Sequence, residues 1–256
     1  LSTALEVFGD FGSFTTDNYA TIKTNFIDNF DNADEWGTFV TYYGSADAVW
    51  KTYVDIAITG TNHVTLDADA TQKTSAKKEM LQKTMVDMVT MHAVLDKAKS
   101  GITTAADWDK AAAYFFGSGA ADDAKFTTYM RAQKRCVNYG TCMISGEAKV
   151  NALIAQAFNS GATLASYTNI LKQYKVLYAQ NVLKYANKID TKSTTDDIID
   201  LLAEGHAFWR ILAPWMKEYD SSLVANKVFD RMFSTEYHPQ TANNYNYCIA
   251  KKYIDG

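Results

Sequence analysis

The chain has 256 residues, and its 25 Lys and Arg against 29 Asp and Glu give a net charge of −4. With 47% hydrophobic and 21% charged residues the composition is that of a folded protein rather than a disordered one. At this length roughly three quarters of the unfolded surface is buried without any staple. No segment clusters Lys and Arg densely enough to neutralise a phosphate backbone, so nucleic acid is excluded as a partner. The longest apolar runs, such as Ala111 to Phe116, fall far short of the roughly 20 residues a membrane-spanning helix needs.

The two prolines, Pro214 and Pro239, set the fold class. Average usage would give about a dozen, and helices tolerate proline worst. The chain is therefore expected to be all-α. Leu1 in place of Met fits a mature chain freed of a leader, and fits a trimmed one equally.

Taken in order, the Gly- and Phe-rich segment 1–16 reads as an irregular arm. A helix is expected from about Asp17 to Phe30, where Ile22, Phe26 and Phe30 recur at spacing four, and another from Ser45 to Ile58. The Asp- and Thr-rich stretch Thr61 to Thr74 reads as a loop. The longest periodic run, about Ser75 to Lys99, carries Met80, Met85, Met88 and Met91, better read as gap-fillers of a helical core than as a soft-metal site. Ser100-Gly101 stops it, and a threonine-capped helix then runs from Thr104 to Gly117. Further helices are expected at Ala121 to Cys136, Gly146 to Asn159, Leu164 to Asn187, Thr194 to Tyr219 and Ser222 to Phe233, followed by a loop-like tail at 234–256.

Comparison of the halves shows a weak repeat. Placing Gln82 on Gln173 puts Lys97 on Lys188 and aligns most apolar positions. The expectation is a single all-helical domain, a bundle built from two loosely repeated helical hairpins at about 45–119 and 146–219, with a site between them.

Cys136 and Cys142 lie six apart in RCVNYGTC, with Asn138 and Gly140 offering a turn. A disulfide closing a short loop and a pair of reduced thiols are both compatible with that spacing. Cys248 is left over: buried, reactive or paired with one of the others. No Asn-x-Ser/Thr acceptor occurs in the sequence, so N-glycosylation is not expected.

Four histidines limit the donor sets. His92 has Asp96 one turn onward and Asp87 five residues back, and His92 and Asp96 share a helix face as an oxygen/nitrogen metal site requires. The plainer alternative is a buried histidine bonded to Asp96, since the repeat sets His92 opposite Leu183. Glu204, His206 and Arg210 form a second group. Glu204 and His206 point about 200° apart on a helix, so each would serve a site completed by another helix. The alternative pairs Glu204 with Arg210 or a lysine and leaves His206 peripheral. Asp196, Asp197 and Asp200 suit a helix start without any function. His63 with Asp67 and Asp69, and Glu236-Tyr237-His238, are weaker groupings.

No Gly-rich phosphate loop, His-Glu-x-x-His, Gly-x-Ser-x-Gly or paired Glu-x-x-His occurs, and the sequence is read as that of a non-enzyme.

The stretch WDKAAAYFFGSG, then KRCVNYGTC, then the Ala/Val-rich EAKVNALIAQAFNSG, resembles the algal iron-assimilation proteins, also called low-iron-inducible periplasmic proteins. That family shows Trp-Asp-Glu-x-x-x-Phe-Tyr-x-Gly-Ser and Lys-Arg-Cys-x-x-Phe-Gly-Thr-Cys in the same order. Trp108, Asp109, Tyr114 to Ser118 and Lys134 to Cys142 occupy those places, and AEGHAFWRILAP resembles a later Ala-Glu-Gly-x-Ala-Phe helix. The likeness spans roughly Ser45 to Tyr219, with Lys110 and Tyr139 departing from the pattern. It implies a secreted or periplasmic protein that captures iron at the cell surface, with Cys136 and Cys142 oxidised and iron or a small iron chelate as ligand. A cell-surface transporter or reductase would receive the cargo. The family's proposed iron-binding patterns, Glu-x-x-Glu and His-x-x-x-Glu, are approximated by Asp197-x-x-Asp200 and His92-x-x-x-Asp96. His92, Asp96, Asp87, Glu204 and His206 are the expected iron donors. The competing reading is an extracellular surface protein that assembles through its aromatic arm (Phe8, Phe11, Phe14) and its NNYNY tail.

Overall fold

The computed structural model describes residues 23–24, 36–51, 79–80, 82–117, 127–191, 198–217, 228–229, 232–233 and 247–255. Among these the chain is helical and forms no strand; an isolated bridge pairs Cys142 with Ala148. The helices are α1 (Gly37–Tyr43), α2 (Ala46–Trp50), α3 (Val89–Gly101), α4 (Ala105–Phe116), α5 (Thr128–Tyr139), α6 (Lys149–Asn159), α7 (Leu164–Thr191), α8 (Ile198–Lys217) and α9 (Tyr247–Asp255). A π-helical segment, Lys83–Met88, leads into α3. The expected all-α class holds for the described residues, none of whose helices is long and apolar enough to cross a membrane.

Two compact units divide the chain: residues 85–181 form one, and residues 1–84 with 182–256 form the other. The expected repeats do not follow that division, because each begins in one unit and ends in the other.

In the unit of residues 85–181, α3 and α4 are joined by a tight turn at Ile102–Thr104. Gly101, expected to stop α3 from just beyond it, is instead its last helical residue. What it provides is room: a Cβ there would sit 2.7–2.9 Å from the backbone N, Cα and Cβ of Trp108. The two helices meet only because that atom is missing. Gly101→Ala is therefore expected to lower stability by about 1–3 kcal/mol through overpacking, read as a fall in urea midpoint at constant slope.

Trp108 is buried, its indole N–H donates to the carbonyl of Phe158 on α6 (3.1 Å), and the two rings meet edge to face at 5.2 Å. Phe115, wholly buried, lies among Tyr129, Phe158 and Tyr174. Tyr167, Ile170, Tyr174, Leu177 and Tyr178 give α7 its inward stripe here, at the three- and four-residue spacing of a helix face.

α5 starts at Thr127, whose hydroxyl accepts from Met130 N (3.2 Å), and ends at Gly140 in the left-handed region, φ 62°. Cys136 and Cys142 are bonded as a disulfide with Cα atoms 4.7 Å apart. The loop beyond it is held by Gln133, which donates to Gly146 O (2.5 Å) and accepts from Ala148 N (2.9 Å).

In the other unit, Ser45 caps α2 by accepting from Ala48 N (3.0 Å). α8 is the central element, with 14 of its 20 residues buried. A helix apolar on every side belongs inside a protein rather than on its surface. Phe39 of α1 meets Trp215 edge to face at 5.5 Å, Tyr43 donates to Arg210 O (2.8 Å), and Trp209 stacks on Phe229 at 4.2 Å. A Cβ on Gly205 would run into the Phe233 ring.

Three expectations are corrected. The tail is not loop-like throughout: residues 247–255 form α9, where Ala250 is buried and the Tyr247 amide meets the Asp190 carboxylate. Thr104 precedes α4 without a side-chain cap. The helix placed at Ala121 to Cys136 starts at Thr128 and runs on to Tyr139. The arm at 1–16, the loop at 61–74 and most of the helices placed at 17–30 and 222–233 lie outside the described residues.

Candidate functional site

The π-helical segment is where buried charge concentrates. A π turn widens the helix by one residue per turn and recurs at functional sites. Lys83 and Asp87, near its two ends, are 7% and 3% exposed. Each meets its own set of partners within its own unit.

The Lys83 ammonium lies against three oxygens: Glu79 Oε2 at 2.6 Å, Gln82 Oε1 at 3.1 Å and Glu204 Oε1 at 2.9 Å. Its three N–H groups thereby all find acceptors. Glu79 stands one helical turn before Lys83; Glu204 comes from α8. The two carboxyls also hydrogen-bond each other, and Glu204 further accepts from the Tyr185 hydroxyl. Tyr185 is fixed by stacking on Phe208 at 5.6 Å.

The environment divides the two carboxyls. Burial holds Glu79 above its ordinary 4.5, and its bond to Glu204 adds to the rise, against the opposing charge of Lys83. Burial pushes Glu204 upward too, but the Lys83 charge and hydrogen bonds from Glu79, Lys83 and Tyr185 outweigh it and bring it down to about 2. As pH falls, Glu79 is therefore the first of the pair to take up a proton, and Glu204 keeps its charge beside Lys83 longest. Carboxyls driven apart in this way are a mark of acid–base or ion-binding sites.

Asp87 meets a different fate from the one its sequence context suggests. Expected as a metal donor beside His92, it gives both carboxylate oxygens to Arg131, at 2.8 Å each. Tyr178 donates to its backbone carbonyl (2.8 Å), and burial with the nearby Asp87 charge raises the Tyr178 hydroxyl well above 10. A carboxylate held in this forked pairing is committed to its guanidinium.

His92 is half-buried on α3, while Asp96 pairs with Lys97 at 3.0 Å. Both belong with Asp87 to the unit of residues 85–181, whereas Glu204 and His206 belong to the other. His206, expected to be peripheral if not a ligand, is buried at 8% exposure because α8 is covered on every face. Glu204 follows its plainer alternative in pairing with a lysine, Lys83. Among the described residues no group of three or more His, Cys, Asp and Glu is arranged to hold a metal ion. His63, Asp67, Asp69, Asp196, Asp197, Glu236 and His238 lie outside the described residues. Cys248 is free and exposed.

Glu79 and Lys83 escape sequence reasoning. Their signal is present as a Glu-x-x-x-Lys pair at i, i+4, which ordinarily means a solvated surface pair. No known protein family, characterised protein or solved structure matches the chain.

Proposed function

We propose that the chain is a secreted or periplasmic protein that binds iron, as the ion or a small chelate, and assists iron acquisition at an algal cell surface. The observation that carries this reading is the buried carboxyl pair Glu79 and Glu204 closed around a cation, the Lys83 ammonium. A hard ion of higher charge competes for the same oxygens once both carboxyls are ionised and Lys83 swings away. Two protein carboxylates leave the remaining coordination positions to water or a chelator, which suits hand-over to a transporter or reductase better than storage. The disulfide supports an oxidising compartment, and the motif likeness at Trp108–Ser118 and Lys134–Cys142 points the same way.

Calorimetric titration with ferrous ion and with ferric citrate tests the reading. Binding is expected to strengthen as pH rises from about 5 to about 8, because the ligands must be deprotonated. It is expected to weaken by at least about tenfold in Glu79→Gln and in Glu204→Gln. A flat heat trace for both iron forms would sink it.

A second reading, assembly on a surface, draws support from the apolar residues exposed around the disulfide loop: Val137 at 71%, Met143 at 38% and Ile144 at 109%. Light scattering separates the two, since assembly of that kind persists in chelator.

A further inference from the structure

The loop that follows the disulfide, in the unit of residues 85–181, combines a fixed backbone with an uncovered apolar tip. Met143 to Gly146 form a tight turn. Gly146 N donates to Met143 O (2.8 Å), Met143 N donates to Glu147 O (2.8 Å), and Gly146 takes a φ of 83°, which suits glycine. Cys142 pairs with Ala148 across the base, Gln133 of α5 bonds Gly146 O and Ala148 N, and the disulfide ties Cys142 to α5.

Ile144 holds the second position of this turn and is fully exposed, at 109%. Met143 beside it and Val137, next to Cys136 on α5, are exposed as well. Isoleucine favours strands over turns, so local propensity does not account for it there. A cross-linked backbone holds the side chain in water, and little conformational freedom remains to be lost when something covers it.

The charge around the tip points to the occupant. Between Arg131 and Val150 the sequence carries four basic residues, Arg131, Lys134, Arg135 and Lys149, against one acidic, Glu147, in a chain of net charge −4. Arg131 is committed to Asp87 and Arg135 is buried, whereas Lys134 and Lys149 are exposed. Lys134 stands one helical turn before Val137 on α5, and Lys149 directly follows Ala148 at the base of the loop. Trp, Tyr and Arg, the residues that anchor protein contacts, are not exposed between Val137 and Ile144. Aliphatic tips flanked by lysines fit a lipid surface instead, where apolar side chains enter the headgroup boundary and ammonium groups meet phosphate. We infer that this loop docks on an anionic bilayer, with Ile144 and Met143 inserted and Lys134 and Lys149 on the lipid phosphates. So short an anchor is reversible and needs both its apolar and its charged part. It does not depend on the carboxyl pair.

The test is co-sedimentation of the full chain with vesicles of phosphatidylcholine mixed with phosphatidylglycerol, and with vesicles of phosphatidylcholine alone. Binding is expected to the mixed vesicles, to fall at high salt, and to be much weaker to the neutral ones. Ile144→Ser should lower it by roughly tenfold and leave the thermal melt unchanged, since that side chain is fully exposed. The double variant Lys134→Glu with Lys149→Glu should lower it at least as far. Ile144→Trp should keep binding, with the added emission quenched by brominated lipid. Absence of sedimentation with the mixed vesicles, equal binding to neutral ones, or binding that survives Ile144→Ser would overturn the inference. So would self-association without lipid that Ile144→Ser abolishes in light scattering, which would make a second copy the occupant.

Discussion

Glu204→Gln is expected to cost about 3 kcal/mol, the low end of the range for breaking a buried pair. Lys83, 7% exposed, would lose the carboxylate that α8 supplies and keep only Glu79 from the preceding turn. Glu79→Gln, one turn away in the same cluster, is expected to change stability by less than about 1 kcal/mol. The two residues differ because the environment raises Glu79 and lowers Glu204, and because a glutamine at 79 can still donate to Glu204 and accept from Lys83. The pH dependence follows with opposite signs. Glu204 is lowered in the folded state, so its contribution is present above the ordinary carboxylate range and is lost as pH falls toward about 2. That loss is on the order of 3 kcal/mol. Glu79 is raised, so what it contributes is present at acid pH and lost as pH rises above 4.5 through its folded value. Urea melts across pH check both: Glu204→Gln should flatten the acid limb, and Glu79→Gln should flatten the limb above it. Equal losses from the two glutamines would contradict carboxyls held in opposite directions.

Arg131→Met is the second large effect. Arg131 holds both oxygens of an Asp87 that is 3% exposed, so removing the guanidinium leaves a buried carboxylate unpaired. The expected loss is about 3–5 kcal/mol. The double variant Arg131→Met with Asp87→Leu should recover much of it, since replacing both partners by apolar groups is often near neutral. Thermal melts of the two variants decide. If the single change costs no more than a surface substitution, the pairing is not what holds Asp87.

Proline scarcity and helical spacing make the all-α class legible, together with the starts of α2 and α7. What they cannot show is which helix sits in the middle. Period and spacing describe one apolar face, but α8 is buried all round, so a surface-helix argument puts His206 outside and treats Glu204 and His206 as rivals for a face. Asp87 misleads for a related reason. A neighbour at helical spacing, His92, is visible in sequence, whereas Arg131, 44 positions away, is not. Gly101 carries the usual sign of a helix end, although its lack of a side chain serves the approach of Trp108. Residues 247–255 read as tail because their few apolar positions, such as Ala250, find partners only in the folded chain.

The central claim is that iron replaces the Lys83 ammonium between the two carboxyls. Anomalous scattering at the iron edge, from crystals of the full chain soaked in ferrous ion near neutral pH, addresses it directly. The account predicts an iron peak joined to oxygens of both Glu79 and Glu204 at about 2.0–2.2 Å, the ordinary span of a carboxylate–metal bond, with the Lys83 side chain displaced. Crystals without an iron signal, or with iron elsewhere while Lys83 still spans both carboxyls, would contradict it.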